Sequence, residues 1–117
     1  MTELLFILND PPYGTERCYN GLRLAGSLAK RDGTEVRIFL MAAAVGCAIA
    51  GQVLPNGYYH LDRMLMSALR HGAEVGCCGT CMDARAVDDD ELVEGVRRSS
   101  LEELTDWTLW ADRVVTF

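Results

Sequence analysis

A chain of 117 residues, 50% apolar and 24% charged, has the balance of one globular domain that buries a core without disulfide or metal staples. Its formal charge of −6 argues against a nucleic-acid partner, which calls for clustered Lys and Arg; Arg97-Arg98 is a pair, not a patch. Met1-Thr2-Glu3 does not begin a signal peptide and the longest apolar run, residues 38–51, is too short to span a bilayer, so no membrane role and a cytoplasmic location are expected.

Residues 3–8 (ELLFIL) are almost continuously apolar, the pattern of a strand covered on both faces. Asn9-Asp10-Pro11-Pro12-Tyr13-Gly14 breaks that strand. A helix is predicted over 15–30, where Cys18, Leu22, Ala25 and Leu28 recur at helical spacing. Asp32-Gly33 ends it, and residues 35–41 (EVRIFLM) form the second strand. Residues 42–50 read as a short buried helix or a tight small-residue segment. After the Pro55-Asn56-Gly57 turn, a helix over 60–71 carries Leu61, Leu65, Ala68 and Leu69 on one face, and Gly72 closes it.

Residues 73–77 (AEVGC) are the third strand. Asp88 with Glu91 makes a capping-box pattern for a short helix ending near Gly95. Ser100 with Glu103 repeats it for a longer helix bearing Leu104, Trp107, Thr108 and Ala111. Residues 113–117 close the chain as a strand. This order predicts a single α/β domain over 1–117, a parallel sheet with helices on both faces. Surplus apolar surface on so small a domain predicts a homo-oligomer, with residues 58–66 and 42–50 as candidate contact surfaces.

In such a sheet, sites form beyond the carboxyl ends of the strands. Two loops there hold unusual chemistry: residues 9–15, and Cys77-Cys78-Gly79-Thr80-Cys81 after the third strand. The topology favours their convergence. Cys78-Gly79-Thr80-Cys81 is a CxxC with three readings. The thiols can cycle through a disulfide. They can be half a metal site, but zinc wants four ligands, no second CxxC exists, and His60 and His71 lie at opposite ends of one helix, so no metal is expected. Or one is a nucleophile, its thiolate stabilised by the amides of a strand-to-helix turn and by Arg85, with Gly79 leaving the Cys78 sulfur accessible.

Cys18, Cys47 and Cys77 lie inside apolar elements and are expected to be packing residues. A glycine-containing turn is a poor place to bury Cys78 and Cys81. Five cysteines, an odd number without an export signal, argue for reduced thiols. Asp10 and Tyr13 are candidates to shape or polarise the pocket, in a segment equally readable as a stiff turn. The acidic run 88–91 reads as a helix cap facing solvent.

The segments NDPPYGTERCYNGLRLA, EVRIFLM, GCCGTCMDARA and LEELTDWTLWADRVVTF together resemble the DsrE/DsrF-like family, in particular its YchN-like single-chain members. Cys-Gly-Thr-Cys-Met-Asp-Ala-Arg is the most specific piece, and the likeness spans nearly the whole chain. The resemblance implies a three-layer α/β sandwich, with a mainly parallel sheet of about five strands, that assembles into homo-oligomers, often hexamers. Sulfur-relay members use a cysteine at the end of this strand, seven residues before an arginine, as a persulfide carrier. Counting back from Arg85 gives Cys78 that role, and Cys81 matches the second cysteine of the CGTC subset.

The function so implied is a sulfurtransferase-like sulfur carrier that needs no cofactor and works between donor and acceptor proteins or thiols. Cys81 would release sulfur by closing a disulfide. The competing readings are a non-enzymatic oligomer that binds a small ligand among the cysteines, and a CxxC redox switch. Two features depart from the family. It commonly has glycine where this chain has Ala86, so the turn there is expected to differ, and its sulfur-relay enzymes work as hetero-oligomers with sister subunits.

Overall fold

A computed structural model describes residues 1–117. Five strands, β1 (Thr2–Leu8), β2 (Thr34–Leu40), β3 (Glu74–Cys78), β4 (Val96–Ser99) and β5 (Arg113–Thr116), form one sheet in the order β4-β3-β2-β1-β5. Every neighbouring pair is parallel. The two longest strands are central and carry the core: Leu4, Leu5, Phe6 and Leu8 from β1, with Val36, Ile38, Phe39 and Leu40 from β2, are all buried. Their near-continuous apolar runs follow from burial on both faces.

Helices α1 (Arg17–Ala29) and α2 (Leu61–Arg70) pack against each other on one face of the sheet. Gly21 allows α1 its close approach, since a Cβ there would lie 2.8 Å from a Leu8 methyl. Helix α4 (Leu101–Trp110) covers the other face. Its Trp107 meets Phe39 edge-on, with centroids 6.1 Å apart at 89°, and reaches over Gly76. Such a pair adds about 1 kcal/mol beyond the area it buries. A short helix, α3 (Gly79–Ala84), begins directly at the end of β3. The architecture is the three-layer α/β sandwich. No helix is long and apolar enough to cross a membrane.

Two expectations need correction. The predicted short helix after Asp88 is only a 3-10 turn, Asp89–Glu91, although its capping box is present in both directions. The chain then enters β4, which the sequence did not reveal: Val96 alone is buried there, and Arg97 and Arg98 interrupt any apolar pattern. The 3-10 segment Ala42–Ala48 buries Ala44, Val45, Cys47 and Ala48 within the protomer, against α2, α3 and the sheet. Within the candidate contact segment 42–50, Ala42, Ala43, Gly46 and Ile49 remain partly exposed and Ala50 is exposed. Tyr58 and Met66, from the other candidate surface, are exposed.

Candidate functional site

The site is built where β3 turns into α3. Alternation along β3 sends Cys77 to the α1/α2 face and Cys78 to the opposite face, beside β4, where Cys78 pairs in register with Ser99. No loop intervenes: Cys78 ends the strand and Gly79 starts the helix. Gly79 exists for close approach. A Cβ there would stand 3.0 Å from the Ser99 carbonyl oxygen and 3.2 Å from Arg98 Cγ.

That tight fit corrects one expectation. Gly79 does not open Cys78 to solvent but lets the turn press against β4, and Cys78 is only 8% exposed. Its Sγ lies 3.2 Å from the Thr80 hydroxyl. Burial pushes the Cys78 thiol up, but hydrogen bonds from the Cys81 thiol, the Thr80 hydroxyl and the backbone N–H groups of Cys81 and Thr80 outweigh it. The net position is below the ordinary thiol range, which favours the thiolate.

Cys81 is partly exposed. Burial and the hydrogen bond it gives Cys78 raise its thiol, opposed by the Ala42 N–H and the charge of Arg85. The Ala42 N–H donates to Cys81 Sγ at 3.2 Å. Ala42 adopts φ 50°, a left-handed conformation unusual for a residue with a Cβ. Arg85 donates from Nη1 to the Cys81 carbonyl at 3.2 Å, so it stands beside Cys81 rather than acting as the partner of Cys78.

Arg98 was not singled out from the sequence as a site residue, yet it clamps the turn. Its Nη1 donates to the Gly79 carbonyl and to Asp83 Oδ1, both at 3.0 Å, and its Nε to Asp89 Oδ1 at 2.7 Å. Only the β3–β4 register, which sets Cys77 opposite Arg98, brings it there.

The two loops expected to converge are joined through the segment Ala42–Ala48. Its Ala42 reaches Cys81, and its Gly46 lies against Pro12 of the first loop. Asp10 and Tyr13 make their bonds away from the CxxC. The Asp10 carboxylate accepts from the Thr15 hydroxyl at 3.0 Å and pairs with Arg17, and its carbonyl accepts the Cys18 thiol at 3.0 Å. The Tyr13 hydroxyl donates to Gln52 Oε1 and accepts the Leu61 N–H at 3.2 Å. No three His, Cys, Asp or Glu side chains are grouped as a metal site would need. The largest concavity, about 400 Å³, lies between α2 and Val93-Glu94 and is lined by none of the five cysteines.

Cys18, Cys47 and Cys77 are buried, as expected. Cys18 is lowered by a hydrogen bond from Cys47, which is itself raised by giving that bond and by burial. Cys77 is pushed up to about 12, first by burial and then by the negative charge Cys78 and Cys81 can carry. An unfolded thiol ionises near about 8.5. The folded state therefore keeps a proton that the unfolded state loses, so stability is whole below that pH and falls as pH rises toward the folded value. Urea denaturation between about pH 8 and pH 10.5 is expected to show this fall, and Cys77→Ala to flatten it by up to about 1.4 kcal/mol per pH unit.

The position where glycine was expected is instructive. Ala86 follows Arg85 at φ 53°, so the turn keeps the conformation a glycine would hold and an alanine occupies it. Ala86→Gly is expected to raise the urea midpoint, by roughly 0.5 kcal/mol after subtracting the freedom glycine adds to the unfolded chain. An unchanged or lower midpoint would show that the strain relieved does not exceed the freedom glycine adds to the unfolded chain.

The chain matches the DsrE/DsrF-like family over residues 2–117. It is 37% identical to YchN of Escherichia coli over 118 aligned positions, covering all of both chains. It is 34% identical to an uncharacterised protein of Methanopyrus kandleri, over 95% of this chain and 90% of that one. The crystal structure of E. coli YchN superimposes with a TM-score of 0.93, again over the whole of both chains. Family match, full-length identity and superposition agree: this chain belongs to the DsrE/DsrF-like family.

Proposed function

We propose that the protein is a sulfurtransferase-like sulfur carrier that holds a persulfide on Cys78. Membership of a family associated with sulfur relay supports this reading, but one observation carries it. A thiol held toward its thiolate by a hydroxyl, two backbone N–H groups and a second thiol sits where a parallel sheet places its chemistry.

In loading, a thiolate attacks the outer sulfur of a donor persulfide, R–S–SH. A new S–S bond forms, the old one breaks, and its electron pair leaves on R–S⁻, which takes a proton. The sulfur moves with no net oxidation, so the transfer itself calls for no cofactor. Release to an acceptor thiol is the reverse.

Ligand binding among the cysteines is the weaker reading, because the largest concavity contains none of them. A switch that closes a Cys78–Cys81 disulfide uses the same contact but needs both sulfurs equally. The assembly proposed is a homo-oligomer, a hexamer by the family resemblance. Tyr58, Leu101 and Leu109, exposed at 61%, 70% and 82%, are apolar surface it would cover.

The test is native mass spectrometry of protein purified without reductant and then incubated with inorganic polysulfide. Each subunit of an oligomer should gain the mass of one sulfur atom, map it to Cys78, and lose it to dithiothreitol. A monomer at micromolar concentration would overturn the assembly. Free thiols that never gain sulfur would overturn the carrier.

A further inference from the structure

We propose that Cys81 is the exchange thiol and Cys78 the storage thiol of a two-step internal relay, in which sulfur enters and leaves on Cys81 and passes between the two sulfurs inside the turn. The proposal rests on the carrier reading and adds to it the route of the sulfur.

Three observations lead to it. The first is access. Cys78 is 8% exposed, with its sulfur 3.2 Å from the Thr80 hydroxyl, whereas Cys81 is partly open. Attack on a persulfide needs the donor S–S bond in line with the attacking sulfur. The exchange rate therefore depends on the sulfur a donor can reach, and Cys81 is the more open of the two.

The second is the Ala42 N–H, aimed at Cys81 Sγ from a left-handed backbone. A donor fixed in that way favours negative charge on Cys81 whenever charge moves there. The third is Arg85, exposed and tied to the Cys81 carbonyl, which brings positive charge to the mouth of the site. Together they fit an anionic persulfide or polysulfide as the incoming group.

The steps balance. Of the two thiols Cys78 gives up its proton more readily, so when the pair holds one proton, that proton rests on Cys81. Its transfer to Cys78 frees the Cys81 thiolate. That thiolate takes the outer sulfur of R–S–SH, forming Cys81–S–SH and releasing R–S⁻. The Cys78 sulfur then attacks the outer sulfur of Cys81–S–SH. The Cys78–S bond forms, the Cys81–S bond breaks, and the proton on Cys78 returns to Cys81. The products are Cys78–S–SH and Cys81–SH, and release runs the same steps backward.

The test times loading of wild type, Cys81→Ser and Cys81→Ala with inorganic polysulfide and, separately, glutathione persulfide. Samples are quenched by alkylation and the sulfur is located by fragment-ion mass spectrometry. In wild type the sulfur should appear on Cys81 before Cys78. Both Cys81 variants, folded by circular dichroism, should reach the same final loading on Cys78 about tenfold more slowly with either donor. A defect with glutathione persulfide alone assigns the gate to bulky donors, and a defect with both assigns it to sulfane sulfur in general. Cys81 variants that load at the wild-type rate, including any that then hold sulfur longer, would overturn the relay and leave Cys81 a releasing thiol only. Failure of wild type to load at all would instead remove the carrier reading.

Discussion

Cys78→Ser is expected to keep no sulfur once the donor is removed by desalting, while wild type keeps about one atom per chain. Serine preserves the shape and the hydrogen bond with Thr80, so the fold and the neighbouring Cys81 remain. What is lost is the ionisable sulfur: an alcohol stays protonated at pH 7 and is a weak nucleophile, whereas this thiol lies below its ordinary range. Retention should fall by at least about a hundredfold. Transient labelling of Cys81 in this variant is compatible with the prediction, because storage rather than contact is what the substitution removes. Quantitative mass spectrometry before and after desalting checks it, and a variant that retains sulfur as wild type does would show that another thiol is the store.

Gly79→Ala should cost both stability and loading, for a reason that can be read in ångströms. The added methyl would meet the Ser99 carbonyl oxygen at 3.0 Å, and that oxygen belongs to a strand held in register with Cys78. The backbone of β4 cannot withdraw without breaking its ladder, so α3 must lift. Lifting it strains the bond from Arg98 to the Gly79 carbonyl and moves Cys81 off the Ala42 N–H. A cost of about 1–3 kcal/mol is expected from overpacking, read as a lower urea midpoint. A displacement near 1 Å at the reacting atoms can reduce loading by up to about a hundredfold. Gly26→Ala is the control. It lies within α1 with nothing within 4 Å of an added Cβ, so it should be neutral or stabilising by up to about 1 kcal/mol. Similar losses in both variants would show that the approach of β4 is not what sets the cost at Gly79.

What the sequence reveals follows how each residue acts. The apolar runs of β1 and β2, the helical spacing of Cys18, Leu22 and Ala25, and the Ser100 cap on α4 are local signals, and the structure places them where those signals point. The Cys78–Cys81 spacing is local too. Strand β4 was hidden because an edge strand of four residues with one buried side chain has no period to detect. Arg98 was hidden with it, since its role exists only once β4 lies beside β3. Ala42 acts through its backbone N–H, which leaves no trace in a side-chain pattern. Gly79 was visible but misread. A glycine can mark openness or contact, and the sequence does not say whether a neighbouring strand fills the space.

The sheet ends on either side in a four-residue strand, β4 with Arg97 and Arg98, β5 with Arg113. Short, charged edges are poor templates for intermolecular strand pairing, the route by which open sheets aggregate. On the β4 side, the guanidinium that helps blunt the edge is also the one that holds the Gly79 carbonyl. Edge protection and the aim of the two thiols thus meet in one side chain, and at position 98 one cannot be altered without touching the other.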